Sequence, residues 1–147
     1  MSTTTLKPPD PRIMQGVIPY IGYGGRSNEA VDFYARAFGA RDMGRIPDAE
    51  RPEYLMHAQV EINGGSLMLS DMGCKEVTDP GALERAHMQL VVTDGRKWWD
   101  RAVAAGCKVI APYERQLWGD DWGALQDPFG IRWAILQPGP GRGDQDA

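Results

Sequence analysis

The sequence predicts an α+β fold made of two tandem βαβββ modules. Two observations carry this. Each half of the chain gives the same order: strand, helix, glycine, strand, loop, strand, glycine turn, strand. The spacings also match. Pro19 to Gly39 spans 20 positions and His87 to Gly106 spans 19; Gly39 to Gly65 spans 26 and Gly106 to Gly130 spans 24. Phe38-Gly-Ala-Arg41 is echoed by Ala105-Gly-Cys-Lys108. A few-stranded sheet with one helix leaves an apolar face uncovered, so neither module is expected to be stable alone.

The elements follow in order. Residues 1–12 are polar and proline-rich and read as a mobile arm. Residues 17–22 form the first strand, where Pro19 implies an edge position or an irregularity. Ser27 is the expected N-cap of the first helix, with Glu29 in its first turn. Ala30, Val31, Tyr34, Ala37 and Phe38 recur at helical spacing, and Gly39 ends the helix. Residues 40–46 form a second strand. Residues 54–62 form a third, with Tyr54, Met56, Ala58, Val60 and Ile62 on one face and Leu55, His57, Gln59 and Glu61 on the other. Asn63-Gly-Gly65 makes a hairpin turn into strand 66–70, since Asn and Gly tolerate positive φ. No helix follows it, so it is not a phosphate cradle.

The second half begins with strand 87–93, then Asp94 as helix N-cap. Trp98, Trp99, Ala102, Val103 and Ala105 supply the helix, and Gly106 ends it. Adjacent Trp98 and Trp99 cannot both face one core, so one is expected outside, at an interface. Strand 107–110 precedes a Trp-rich loop over 118–122. Gly123 to Gln126 is a strand, Asp127-Pro-Phe-Gly130 a turn, and 131–137 the last strand, with Ile131, Trp133 and Ile135 at period 2. The expected organisation is an arm over 1–12, one domain over 13–137 (module one 13–72, linker 73–86, module two 87–137) and a disordered tail over 138–147.

Composition narrows the function. Of 147 residues 42% are hydrophobic and 24% charged, the balance of a globular protein. The net charge of −4 and pI of about 5.1 argue against a nucleic-acid or anionic-membrane partner. No apolar run reaches the roughly 20 residues of a membrane span, and the N-terminus lacks a signal-peptide core. Cys74 and Cys107 require no disulfide and read as small buried filler, which suits a cytoplasmic setting.

Pro19-Tyr20, Glu29-Ala-Val-Asp-Phe-Tyr34, Phe38-Gly-Ala40, His57-Ala58, Leu67-Met-Leu-Ser-Asp71, Trp118-Gly-Asp120 and Asp127-Pro-Phe-Gly130 with Arg132-Trp133 stand in an order that resembles the vicinal-oxygen-chelate superfamily. That superfamily includes glyoxalase I, bleomycin-resistance proteins and extradiol dioxygenases. The resemblance covers roughly residues 17 to 137 and is nearest to the PhnB-like branch. It implies a cupped mixed sheet with helices on the outer face and a homodimer. In metal-dependent members four ligands sit on the first and last strands of the two modules. The repeat puts those positions at or next to Pro19, at Met68 or Leu69, at His87 and at Ala134. Only His87 has a suitable donor, and Asp71 could be drawn in as a second. A catalytic divalent ion needs about three protein ligands. No metal and no cofactor are therefore expected.

The cup implied by the resemblance would be lined by His57, Gln59, His87, Gln89 and Arg132, roofed by Tyr20, Tyr54, Trp118 and Trp122. Apolar walls with a few convergent polar groups suit a small organic ligand. Each residue also has a structural reading. His57 could simply bridge strands, and His87 could be a former ligand position. Arg132 could pair with Asp127, Asp120 or Asp121, and the two indoles could be lids at the sheet edge. Adjacent Asp120 and Asp121 point apart, against an acid–base pair. Two functions are expected to compete. One is a metal-free small-molecule binder. The other is an enzyme, either a glyoxalase-type lyase or isomerase or a catalyst using His57 or His87 as general base.

Overall fold

The computed structural model describes residues 10–72 and 86–140. The expected linker, apart from Ala86, and most of the expected arm and tail lie outside the described residues, as does Cys74. Two compact units divide between Val77 and Thr78.

The first unit holds β1 (Tyr20–Gly22), α1 (Ser27–Phe38), β2 (Arg41–Pro47), β3 (Leu55–Ile62) and β4 (Gly65–Ser70) in sheet order β1-β4-β3-β2. β1 runs parallel to β4, with Tyr20 opposite Met68, and the other pairs are antiparallel. Pro19 precedes an edge strand, where its missing N–H costs nothing, and its carbonyl accepts from Met68 N at 2.9 Å. Asn63 (φ 52°) and Gly64 (φ 82°) form the two-residue hairpin between β3 and β4.

α1 lays Ala30, Val31, Phe33, Tyr34, Ala37 and Phe38 on the sheet, all buried. Facing them are Ala58, Val60 and Ile62 of β3 and Leu67 and Leu69 of β4, also buried. Tyr34 and Phe38 are core residues, and the Tyr34 hydroxyl is satisfied by Tyr23 at 2.7 Å. Gly39 ends the helix in the left-handed conformation. The strand alternation breaks at one point. A register shift between Ile46 and Pro47 puts Leu55 in the core and leaves Met56 49% exposed, the reverse of strict period 2.

The second unit repeats this with β5 (Met88–Val91), α2 (Gly95–Ala105), β6 (Lys108–Arg115), β7 (Asp121–Gln126) and β8 (Arg132–Gln137), in order β5-β8-β7-β6. Ile131, Trp133 and Ile135 are buried as their period predicts. β6 runs to Arg115, well past the expected end at 110, because two register shifts absorb the segment around Pro112. The Asp94 side chain caps α2 at Lys97 N. Trp99 is buried and stacked on Tyr113. Trp98 is half-buried, with the Arg101 guanidinium 4.7 Å from its ring centroid, so it is the more exposed of the two indoles but not an exposed one.

The N-cap of α1 departs from the sequence reading. Ser27 is the first helical residue, and Arg26 before it gives no side-chain cap. The cap comes from Asp71, just after β4. Its Oδ1 accepts from Gly25 N (2.8 Å), Ser27 N (3.2 Å) and Ser27 Oγ (2.7 Å), and its Oδ2 from Leu55 N (2.8 Å). A carboxylate satisfies more orphan donors than a hydroxyl and suits the positive end of the helix dipole.

Candidate functional site

Each sheet has one face under its helix and one turned away from it. In the first unit the far face carries Tyr20 of β1, Ser66 and Met68 of β4, and His57, Gln59 and Glu61 of β3, by register and alternation. Arg45 of β2 marks the opposite face, since it bonds Asn28 and Asp32 of α1. Tyr20 reaches across β4 so that its hydroxyl lies 2.7 Å from His57 Nδ1, with ring centroids 5.5 Å apart. Burial holds the pKa of His57 below its ordinary value, because desolvation disfavours the imidazolium.

Gln59 shares this face but is already engaged. Its amide donates to Ser66 Oγ (2.9 Å) and to Met14 Sδ (3.1 Å), and Ser66 Oγ donates to the Ile13 carbonyl at 2.6 Å. Residues 10–14 thus form a strap on one half of the face, with Ile13 buried beneath it. A buried isoleucine after a polar run was the signal for it. Tyr54 lies elsewhere. Its ring sits under the Arg51 guanidinium at 4.4 Å and against Gly25, where a Cβ would come within 2.7 Å of it.

In the second unit the register puts Gln89, Val91, Arg132, Ala134, Leu136, Trp122 and Ala124 on the far face. Gln89 Oε1 lies 3.3 Å from His87 Nε2 and 3.4 Å from Trp122 Nε1. Trp122 meets Trp118 edge-on at 6.4 Å, and Trp118 is 55% exposed. His87, Gln89, Trp122 and Trp118 therefore form one continuous polar-aromatic line. Arg132 is half-buried on the same face, opposite Gln126. The two neighbouring aspartates diverge: Asp121 pairs with Arg115 at 2.6 Å, while Asp120 is buried and accepts from Gly139 N. Asp127 organises the turn before β8, accepting from Phe129 N, Ile131 N and Trp133 Nε1, each at 2.9 Å.

The register sharpens the metal question. Tyr20 faces Met68 as Gln89 faces Ala134. Tyr23 N donates to Ser70 O as Val92 N donates to Leu136 O. Two residues before Tyr20 and Gln89 stand Ile18 and His87, so the counterpart of His87 is Ile18 beside Pro19. The set is then Ile18, Met68, His87 and Ala134: two hydrocarbons, a thioether and one imidazole. Asp71 is engaged elsewhere, because both of its oxygens accept from backbone or hydroxyl donors at the start of α1 and at β3. Among the described residues no three His, Cys, Asp or Glu side chains cluster as a metal site would require. These residues do not fit a divalent ion of the family type. The same alignment pairs Asp71 with Gln137, three positions after Met68 and Ala134. Gln137 Oε1 accepts from Gly95 N at 2.8 Å, so both units clamp their helix start from the end of the last strand.

Paired βαβββ units of this topology define a class, and the family model described as the Glyoxalase/Bleomycin resistance protein/Dioxygenase superfamily matches residues 21–135. The chain belongs to that superfamily. Within it, the chain is 40% identical over 116 residues to the uncharacterized protein Mb0911c of Mycobacterium bovis, covering 74% of each. It is similar to the crystal structure of TioX from Micromonospora sp. ML1, with 25% identity and a TM-score of 0.64 over 84% of this chain and 98% of that one. It shares its fold with a PhnB protein from Bacillus cereus described as a putative 3-demethylubiquinone-9 3-methyltransferase. That match has 17% identity and a TM-score of 0.67 over 84% of this chain and 99% of the other. No helix among the described residues is long and apolar enough to cross a membrane.

Proposed function

We propose that this protein binds a small organic ligand on the far faces of its sheets, without the metal that many relatives in the superfamily use. One observation carries the reading: the positions that the repeat assigns to metal ligands, on or just before the strands, hold Ile18, Met68, His87 and Ala134. Exposed Trp118 and half-buried Trp122 beside the Gln89 amide support it, since an aromatic wall with a few polar groups suits an organic ligand. The protein acts as a cytoplasmic homodimer. Exposed Val109 and Ile110 on edge strand β6 support the dimer, and the buried Cys107 suits a reducing compartment.

The test combines metal analysis with tryptophan fluorescence. Protein purified without a His-tag and dialysed is expected to hold no stoichiometric Zn, Ni, Mn or Fe, and retained metal overturns the reading. A panel of small aromatic and hydroxylated compounds is expected to perturb the fluorescence of the wild type, and a Trp118→Ala, Trp122→Phe variant is expected to lose that response.

A second reading, a metal-free enzyme, is favoured by the short Tyr20–His57 hydrogen bond, which gives an imidazole a positioned partner. Variants His57→Ala and His87→Ala that keep ligand affinity but lose turnover would establish it. Loss of affinity alone supports the binder.

A further inference from the structure

Residues 10–14 fold as a small unit of their own. The Asp10 carbonyl accepts from Ile13 N at 3.1 Å and from Met14 N at 3.0 Å. The Asp10 carboxylate pairs with Arg12 at 2.8 Å, and Gln15 Nε2 donates to the Arg12 carbonyl at 3.2 Å. These bonds are internal to the segment, so it keeps its shape wherever it lies.

Its hold on the sheet is different in kind. It rests on the buried Ile13 side chain, the bond from Ser66 Oγ to the Ile13 carbonyl (2.6 Å) and the bond from Gln59 Nε2 to Met14 Sδ (3.1 Å). The last is weak by nature, because a thioether is a poor acceptor. Charge assists the seating. Arg12 lowers the pKa of Asp10 and Arg41 adds to this, while Asp10 raises that of Arg12 and Glu61 adds to it. Both strap charges are solvent-exposed, so this help is small and easily given up.

The chain leaves the strap through a hinge. Gly16 has φ 70°, a Cβ built there would meet no atom within 4 Å, and Val17 is 99% exposed. The sheet is rejoined at Pro19, whose carbonyl accepts from Met68 N. Rotation at Gly16 therefore swings the strap without breaking its internal bonds or any strand pairing.

The strap covers one end of a cross-strand row. Tyr20, Met68 and Gln59 stand opposite one another across β1, β4 and β3. Met14 meets this row at Gln59, while Tyr20 at its other end is 55% exposed. Seated, the strap occupies the Ser66 and Gln59 donors with a carbonyl and a thioether of the chain itself. A carbonyl from outside offers Gln59 a stronger acceptor than sulfur.

We propose that residues 10–14 are an autoinhibitory strap, which competes with ligand for Gln59 and Ser66 and opens by rotation at Gly16. This rests on the reading of the far faces as ligand surfaces and adds how access to the first of them is regulated.

Nile red, a neutral aromatic dye with a ring carbonyl, tests it on the full chain, since its emission rises and moves to the blue in apolar surroundings. Two variants release the strap by unrelated physics. Ile13→Ser removes the buried anchor, and Gly16→Pro forbids the positive φ of the hinge. A closed strap scales the apparent affinity by the fraction of molecules in which it is open. Both variants are expected to bind Nile red about tenfold more tightly than the wild type, the gain for a strap seated roughly nine-tenths of the time. Adding Gln59→Leu to Gly16→Pro is expected to weaken the dye by up to about tenfold, which ties it to the donor that the strap had held. The Met14 ε-methyl 1H–13C resonance, assigned with Met14→Leu, is expected to move in the wild type toward its Gly16→Pro position as dye is added.

Equal affinities in the wild type and both variants overturn the proposal. So does weaker binding by the variants, which would make the strap a wall of the site. A Met14 methyl unmoved at saturating dye overturns it, as does a failure of every form to bind the dye. If Ile13→Ser does not fold, Gly16→Pro still decides, because the hinge lies outside the core. Equal Nile red affinities beside an intact tryptophan response to the compound panel remove the strap alone and leave the wider reading standing. A strap-dependent Nile red affinity without a tryptophan response removes the second unit's face from that reading and leaves the strap.

Discussion

The Asp71 carboxylate and the Ser27 hydroxyl, 44 residues apart, are joined by a buried 2.7 Å hydrogen bond that fixes the start of α1. With Gly25 N, Ser27 N and Leu55 N, Asp71 gathers a loop, a helix and a strand at one carboxylate. Asp71→Ala is expected to destabilise the fold by about 3 kcal/mol, because several buried donors lose their charged acceptor together. Asp71→Asn keeps an oxygen but loses the charge, and its cost is expected to be smaller, about 1–2 kcal/mol. Urea unfolding measures both. An Asp71→Ala protein as stable as the wild type would contradict the clamp.

Asp127 organises the turn before β8. It holds two backbone N–H groups and the buried Trp133 indole. Asp127→Ala is expected to cost about 2–3 kcal/mol and to change the fluorescence of the native state through Trp133. A spectrum and an unfolding midpoint matching the wild type would show that the turn holds without it.

His57 makes a distinct contribution to the pH dependence of stability. Its folded pKa lies below the ordinary 6.5, through burial. The unfolded chain therefore binds more protons at this residue in the window below 6.5. The contribution of His57 is constant above that window and falls as pH drops from 6.5 toward the lowered folded value. His57→Gln is expected to flatten this part of the stability curve measured by urea unfolding between about pH 8 and about pH 5. A curve unchanged in that window would contradict the assignment.

Cys107 is buried, and its thiol is pushed up to about 12 by desolvation and then by nearby Asp127. The thiolate is the reactive form, so the native protein should expose almost none at this position. A Cys74→Ser variant, in which Cys107 is the remaining cysteine, is expected to resist Ellman's reagent until denaturant is added. Rapid labelling under native conditions would refute this.

Gly123 lies under the Trp99–Tyr113 stack, where a Cβ would come within 2.7 Å of the Trp99 ring and of the Tyr113 backbone. Gly123→Ala is expected to cost about 1–3 kcal/mol through overpacking, read as a lowered thermal midpoint.

The sequence by itself determined the architecture, because period and punctuation are local. Ala58, Val60 and Ile62 alternate into the core, α1 carries its apolar stripe, and Gly39 and the Asn63-Gly64 turn stop elements where their backbone conformations require. The sequence alone left the second of the expected metal positions open between Met68 and Leu69, because residue type does not settle register. Tertiary structure decided which polar groups meet. The Ser27 cap gave way to Asp71 because a remote carboxylate reached the same donors. Leu55 displaced Met56 from the core because a register shift cannot be read from one strand. Gln59 proved to be held by a strap that begins outside the expected domain, and Tyr20 found His57 across an intervening strand. Those outcomes depend on pairing register and on contacts between residues distant in sequence, and the local pattern of one segment carries neither.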